Sequence, residues 1–102
     1  MIKAIKWLED SPPSESALLS NIQADGYTTS TWSKEAGFVQ DPAPAASDTA
    51  FSVSKGMARI TLPNSPEEYA DLMVGDRLNL PSGTQFGIMA GPAGVTMIQG
   101  TK

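Results

Sequence analysis

The side chains that could do chemistry in this chain are carboxylates, hydroxyls and a few cations, because histidine and cysteine are both absent. Their absence excludes a Ser-His-Asp triad, a histidine general base, every His-ligated metal site, a thiolate nucleophile and a disulfide. A carboxylate at the rim of an apolar pocket could still act as a base, its pKa raised by burial. Asp41 and Asp48 flank the stretch "PAPAAS" and are the candidates, although strand alternation turns Asp48 outward. Lys55 and Arg59 read as solvated face residues, and Glu67, Glu68 and Asp71 as an exposed acidic stretch. Tyr27 and Tyr69 could donate a proton, but nothing beside them marks that role. No nucleophile stands next to a partner, so whether the chain is an enzyme stays open.

The elements that would position such groups must fit 102 residues, the size of one domain spanning 1–102. Nine Gly and eight Pro are spread along the chain, which favours many short elements joined by turns. The net charge of -4, without a basic run, argues against a nucleic-acid partner and against an anionic membrane surface. No apolar run approaches the ~20 residues of a membrane span. The opening "MIKAIKWLEDSPP" lacks the apolar core of a signal peptide, so the expectation is a soluble, cytoplasmic protein.

"IKAIKWL" (2–8) alternates as a strand with Ile5 and Trp7 on one face. "SPPSESALLSNIQADGY" reads as a helix, with Pro13 at its first position, Glu15 in its first turn, Leu18 and Ile22 on its apolar face, and Gly26 as its stop. From Tyr27 onward strand signals dominate. "YTTSTWS" (27–33) is rich in β-branched and aromatic residues, and "TAFSVS" (49–54) puts Phe51 and Val53 on one face. "GMARITLP" (56–63) follows Gly56, which reads as a hairpin turn. "SPEEYADLM" (65–73) fits either a capping box, Ser65 with Glu68, or a strand. "DRLNLP" (76–81), "QFGIMA" (85–90) and "GVTMIQG" (94–100) complete the series. "QDPAPAASD" (40–48) is either a Pro/Ala loop or a frayed edge strand, since proline cannot donate to a central ladder. The sum is a mostly β, antiparallel sandwich or barrel with one short N-terminal helix.

One stretch is more specific. In "GDRLNLPSGTQFGIMA", Gly75, Pro81, Gly83, Phe86 and Ala90 follow the pattern G-x5-P-x-G-x2-F-x3-A. This resembles the second motif of the cupin superfamily, G-x5-P-x-G-x2-H-x3-N, with the turn residues kept and the histidine replaced. The Gly-Pro-x-Gly of "AGPAGVTMI" resembles the turn before the last strand of small single-domain cupins. The first cupin motif, H-x-H, a spacer, E, six residues, G, can be anchored at Gly56. Thr49 then takes the acid position, and Ala43 and Ala45 take the histidine positions; the longer spacer gives Pro42 and Pro44 instead. The resemblance implies a small jelly-roll β-barrel. In the family a divalent metal is held by three His and one Glu, and serves oxygenation or isomerisation. Here the aligned residues are Ala43, Ala45, Thr49 and Phe86, so neither metal nor any other cofactor is expected.

Replacing imidazoles by Ala and Phe removes a desolvation cost and leaves an apolar interior. Such a change could arise naturally or by engineering of the scaffold. Inward alternation gives a cavity lined by Trp32, Ala43, Ala45, Thr49, Phe51, Phe86 and Ile88, with Thr84 turned inward too. Either these residues fill the barrel, or they surround a pocket for a small apolar or aromatic molecule. A metal-independent acid–base enzyme in that pocket, and a structural or dimerising protein, are the other readings. Edge strands near both termini suggest a homodimer.

Overall fold

Two long antiparallel strands form the spine of the molecule. The computed structural model describes residues 2, 4–7 and 13–102. Among them are one helix, α1 (Glu15–Ala24), and the strands β1 (Thr28–Lys34), β2 (Val39–Pro44), β3 (Thr49–Leu62), β4 (Glu68–Met73), β5 (Arg77–Leu80) and β6 (Gln85–Thr101). β3 and β6 pair over nearly their whole length. On its other edge β6 is shared: β1 pairs with residues 95–101 and β2 with residues 85–89. β3 is shared likewise, by β5 along 49–52 and by β4 along 57–62. The result is two sheet halves, β1–β6–β3–β5 and β2–β6–β3–β4, joined through the same two strands. They enclose a common core in which Phe51, Val53, Leu78, Leu80 and Met97 of the first half meet Ile60, Leu62, Leu72 and Ile88 of the second. This is a mostly β, antiparallel jelly-roll barrel.

The spine bends at Gly56. Register shifts between Val53 and Lys55 and between Gly56 and Ala58, and residues 91–94 of β6 bulge opposite. Gly56 has φ +74°, and a Cβ there would collide with the Gly94 carbonyl oxygen. The expected hairpin turn at Gly56 is therefore a bulge inside one strand of 14 residues. In the same way, the two expected C-terminal strands are one strand of 17 residues. A glycine inside a strand pattern marks either a turn or a bulge, and only the partner strand decides. One consequence concerns edges: β6, at the C-terminal end, is central and not an edge strand.

α1 closes the outside of the first half. Its N-cap is Ser14, whose Oγ accepts from the Ala17 N–H at 3.2 Å, so Pro13 precedes the helix instead of starting it. A hydroxyl that satisfies a free backbone donor sets the boundary here. Leu18 and Ile22 pack on Ala50 and Ile98, which explains why β3 is buried on both faces over residues 49–53. Glu15 lies in the first turn and Gly26 follows the C-cap Asp25, as the spacing predicts.

Residues 2 and 4–7 are not a strand; Lys3 and Leu8 of the strand reading, and residues 11 and 12 of the helix reading, lie outside the described residues. Ile5 forms an isolated bridge with Arg77, exchanging N–H···O bonds of 2.7 and 2.9 Å. Ile5 is 48% exposed, while Trp7 packs on the helix cluster and Ile2 and Ala4 on the main core. The expected shared face of Ile5 and Trp7 is absent because each residue finds a different neighbour. The ambiguous 65–73 segment is a turn followed by β4; the Glu68 N–H donates to the Ser65 carbonyl, without a helix. "QDPAPAASD" contains the edge strand β2, whose register shifts between Gln40 and Ala43, where Pro42 has no donor to offer.

Candidate functional site at the barrel mouth

The glycine-aspartate and proline-glycine turns of the motif bracket β5, which pairs with β3 along 49–52. Gly75 (φ +93°) donates its N–H to the Val53 carbonyl at 2.9 Å. The buried Asp76 carboxylate accepts from the Met73 N–H at 3.0 Å and from Lys6 Nζ at 2.8 Å. Beyond β5, Gly83 (φ +88°) donates to the Ala45 carbonyl at 2.8 Å, and the Thr84 carbonyl accepts from the Ala45 N–H at 2.9 Å. The Thr84 hydroxyl donates to the Pro81 carbonyl at 2.7 Å. That bond, on the exposed turn, keeps Thr84 out of the interior it was expected to face. The turn therefore delivers Phe86 to the beginning of β6, directly opposite Ala43 of β2.

The four positions that the cupin resemblance assigns to metal ligands have these surroundings. Ala43 is exposed on β2. Ala45 is buried in the main core. Thr49 is 3% exposed, and its hydroxyl donates to the Ser47 carbonyl at 2.9 Å. Phe86 is 8% exposed and packs against Phe51, ring centres 5.6 Å apart with planes tilted by 56°. Two methyl groups, a phenyl ring and a committed hydroxyl do not constitute a donor set for a divalent cation. Among the described residues no three His, Cys, Asp or Glu side chains are grouped so that they could hold a metal.

Open space begins on the outer side of Phe86. A pocket of about 240 Å³ has Trp32 of β1, Phe38 of the β1–β2 turn, and Phe86 and Ile88 of β6 as its apolar walls. Lys34, Gln40 and Gln99 supply its polar part. The Trp32 indole N–H donates to Gln99 Oε1 at 2.9 Å, which ties β1 to β6 across the pocket wall. The Lys34 ammonium sits 4.8 Å from the centre of the Phe38 ring. Of the residues expected to line a cavity, the structure brings Trp32, Phe86 and Ile88 together here. Phe51 lies beneath Phe86, and Ala45, Thr49 and Phe51 belong to the packed interior. Ala43 faces solvent.

Neither candidate base lines this pocket. Asp41 is exposed beside the β2 bulge, and Asp48 accepts from the Ser82 N–H at 2.9 Å while bordering a different surface depression with Ile2, Tyr27 and Pro81. A second polar groove, between the N-terminal segment and α1, contains Lys6 and Arg77. Both are neutralised, by Asp76 and Asp25 respectively, at 2.8 Å each.

Sequence reasoning missed Phe38, Lys34, Gln40 and Gln99. Two of them carried a signal. Gln99 shares the inward parity of Val95 and Met97, so a polar residue stood on a buried face. Lys34 shares the parity of Trp32 on β1. Phe38 and Gln40 carried none, because their placement depends on the register Gln40↔Ile88.

No protein-family model and no curated protein matches the chain. Solved structures do. A DMSP lyase from Ruegeria pomeroyi superposes with a TM-score of 0.64 at 15% identity over 76% of this chain, which spans only 39% of that protein. A cupin superfamily protein from Desulfitobacterium hafniense gives 0.62 at 20% identity, covering 99% of this chain and 76% of its own. A cupin-2 domain containing protein from Shewanella frigidimarina gives 0.58 at 22% identity over 74% and 71%. The chain has the fold of the cupin superfamily.

Proposed function

We propose that this chain is a binding protein that takes a small apolar or aromatic molecule at the mouth of its barrel without using a metal. The observation that carries this reading is the pocket itself. Three aromatic rings, Trp32, Phe38 and Phe86, face one space of about 240 Å³, in a chain without histidine. Apolar walls with a few convergent polar groups are the usual composition of a small-molecule site. The volume lies just under the ~300 Å³ at which drug-sized pockets begin, so a single-ring compound is the natural size. Flat rings offer stacking area on Trp32 and Phe86. The acid–base alternative has no carboxylate at this pocket to support it.

The experiment is a titration of the isotope-labelled protein with benzamide, an uncharged single-ring probe, followed by nuclear magnetic resonance. Saturable shifts centred on the Trp32 indole and on Phe38, Phe86 and Ile88 are expected. Shifts scattered over the surface would refute the reading, as would none up to the solubility limit with benzamide and with its charged single-ring analogues.

A further inference from the structure

The polar part of the pocket holds one cation, two neutral amides and no anion. Lys34 contributes an ammonium with three donors. An indole nitrogen only donates, so the Gln99 atom facing Trp32 is the oxygen, and the Gln99 amino group is left as a donor. Among the described residues that amino group makes no further hydrogen bond. Gln40 adds an amide that can rotate to donate. No carboxylate lines the space. Glu35 and Asp41, the neighbours of Lys34 and Gln40 along the chain, are exposed and outside it. The chain as a whole is acidic at -4, so this concentration of donors runs against its overall field.

We infer that the pocket selects aromatic molecules carrying an anionic acceptor, of which an aromatic carboxylate is the simplest class. The ring would lie between Trp32 and Phe86, and the carboxylate would face Lys34 and the Gln99 amino group. A carboxylate accepts charge-assisted hydrogen bonds from both, and its negative charge is matched by Lys34. This inference rests on the binding function proposed above and adds the ligand's charge to it.

The test uses three single-ring probes of similar size on the intact protein: benzoate, benzamide and benzylammonium, each titrated while the Trp32 indole resonance is followed. The expected order is benzoate tightest, by about fivefold over benzamide, as for a rim ion pair, with benzylammonium weakest. In Lys34→Met the benzoate-to-benzamide ratio should fall to about one, and in Lys34→Arg it should recover. Lys34 is exposed, so these variants should fold, which the amide spectrum verifies. Equal binding of the three probes, or a preference for benzylammonium, would overturn the inference while the pocket's binding role stands. Binding of none of them would overturn both.

Discussion

Phe86 occupies the position where the cupin pattern has a metal-binding histidine, and its replacement measures what that position now does. In Phe86→Ala the ring that packs on Phe51 at 5.6 Å is lost. Truncating a buried Phe costs roughly 3–5 kcal/mol, of which an aromatic pair supplies about 0.5–1.5. Phe86 is 8% exposed and borders open space, so water can enter part of the vacated volume and the cost belongs at about 3 kcal/mol. Urea unfolding monitored by circular dichroism reads this directly. With a slope of about 1–1.5 kcal/mol per molar for a small domain, the midpoint should fall by about 2–3 M. Phe86→Leu keeps the apolar contact and should lose only about 1 kcal/mol. Phe86→His should lose nearly as much as the alanine variant, and added zinc should not restore it, because no second ligand stands beside it. A loss below about 1 kcal/mol in Phe86→Ala would refute the packing role, and rescue of the histidine variant by zinc would show that ligands remain.

Further outcomes follow from other parts of the frame. Gly56→Ala places a Cβ against the Gly94 carbonyl at a positive φ and should cost about 2 kcal/mol or more, read by thermal denaturation. Asp76→Asn removes the charge that Lys6 pairs with and weakens the acceptor for the Met73 N–H; a loss of about 1–2 kcal/mol and faster amide exchange in residues 4–7 are expected. Trp32→Phe keeps a ring in the pocket but frees Gln99 Oε1, so it should weaken benzoate by severalfold and stability by about 1 kcal/mol. The expected homodimer requires an edge that another strand can join. β2 carries Pro42 and Pro44, whereas β1 has no proline, so Thr31→Pro should abolish dimerisation if β1 is that edge, as sedimentation equilibrium would report.

The turns of the motif were legible because their determinants are local: Gly75, Pro81 and Gly83 specify backbone geometry within a few residues. So were the helix, with Leu18 and Ile22 four apart, and the alternation of β5. The spine was not. Gly56 and the Gly-Pro-x-Gly of 91–94 read as turns on their own, and become opposed bulges only when β3 and β6 lie side by side. The site was half legible for the same reason. Inward parity gave Phe86 and Ile88, but it also gave Ala43, which the edge position of β2 exposes. The wall formed by Phe38 and Gln40 arises from β2 meeting β6 in one register. Alternation alone cannot separate a filled interior from an open mouth, because both present the same inward residues.

The metal content of the untagged protein decides whether the replaced ligand positions still hold an ion. It would be incubated with zinc, iron(II) and nickel, dialysed, and analysed by inductively coupled plasma mass spectrometry. No stoichiometric metal is expected, since Ala43, Ala45, Thr49 and Phe86 offer no donor set. One metal per chain would mean that ligands stand where these side chains are packed.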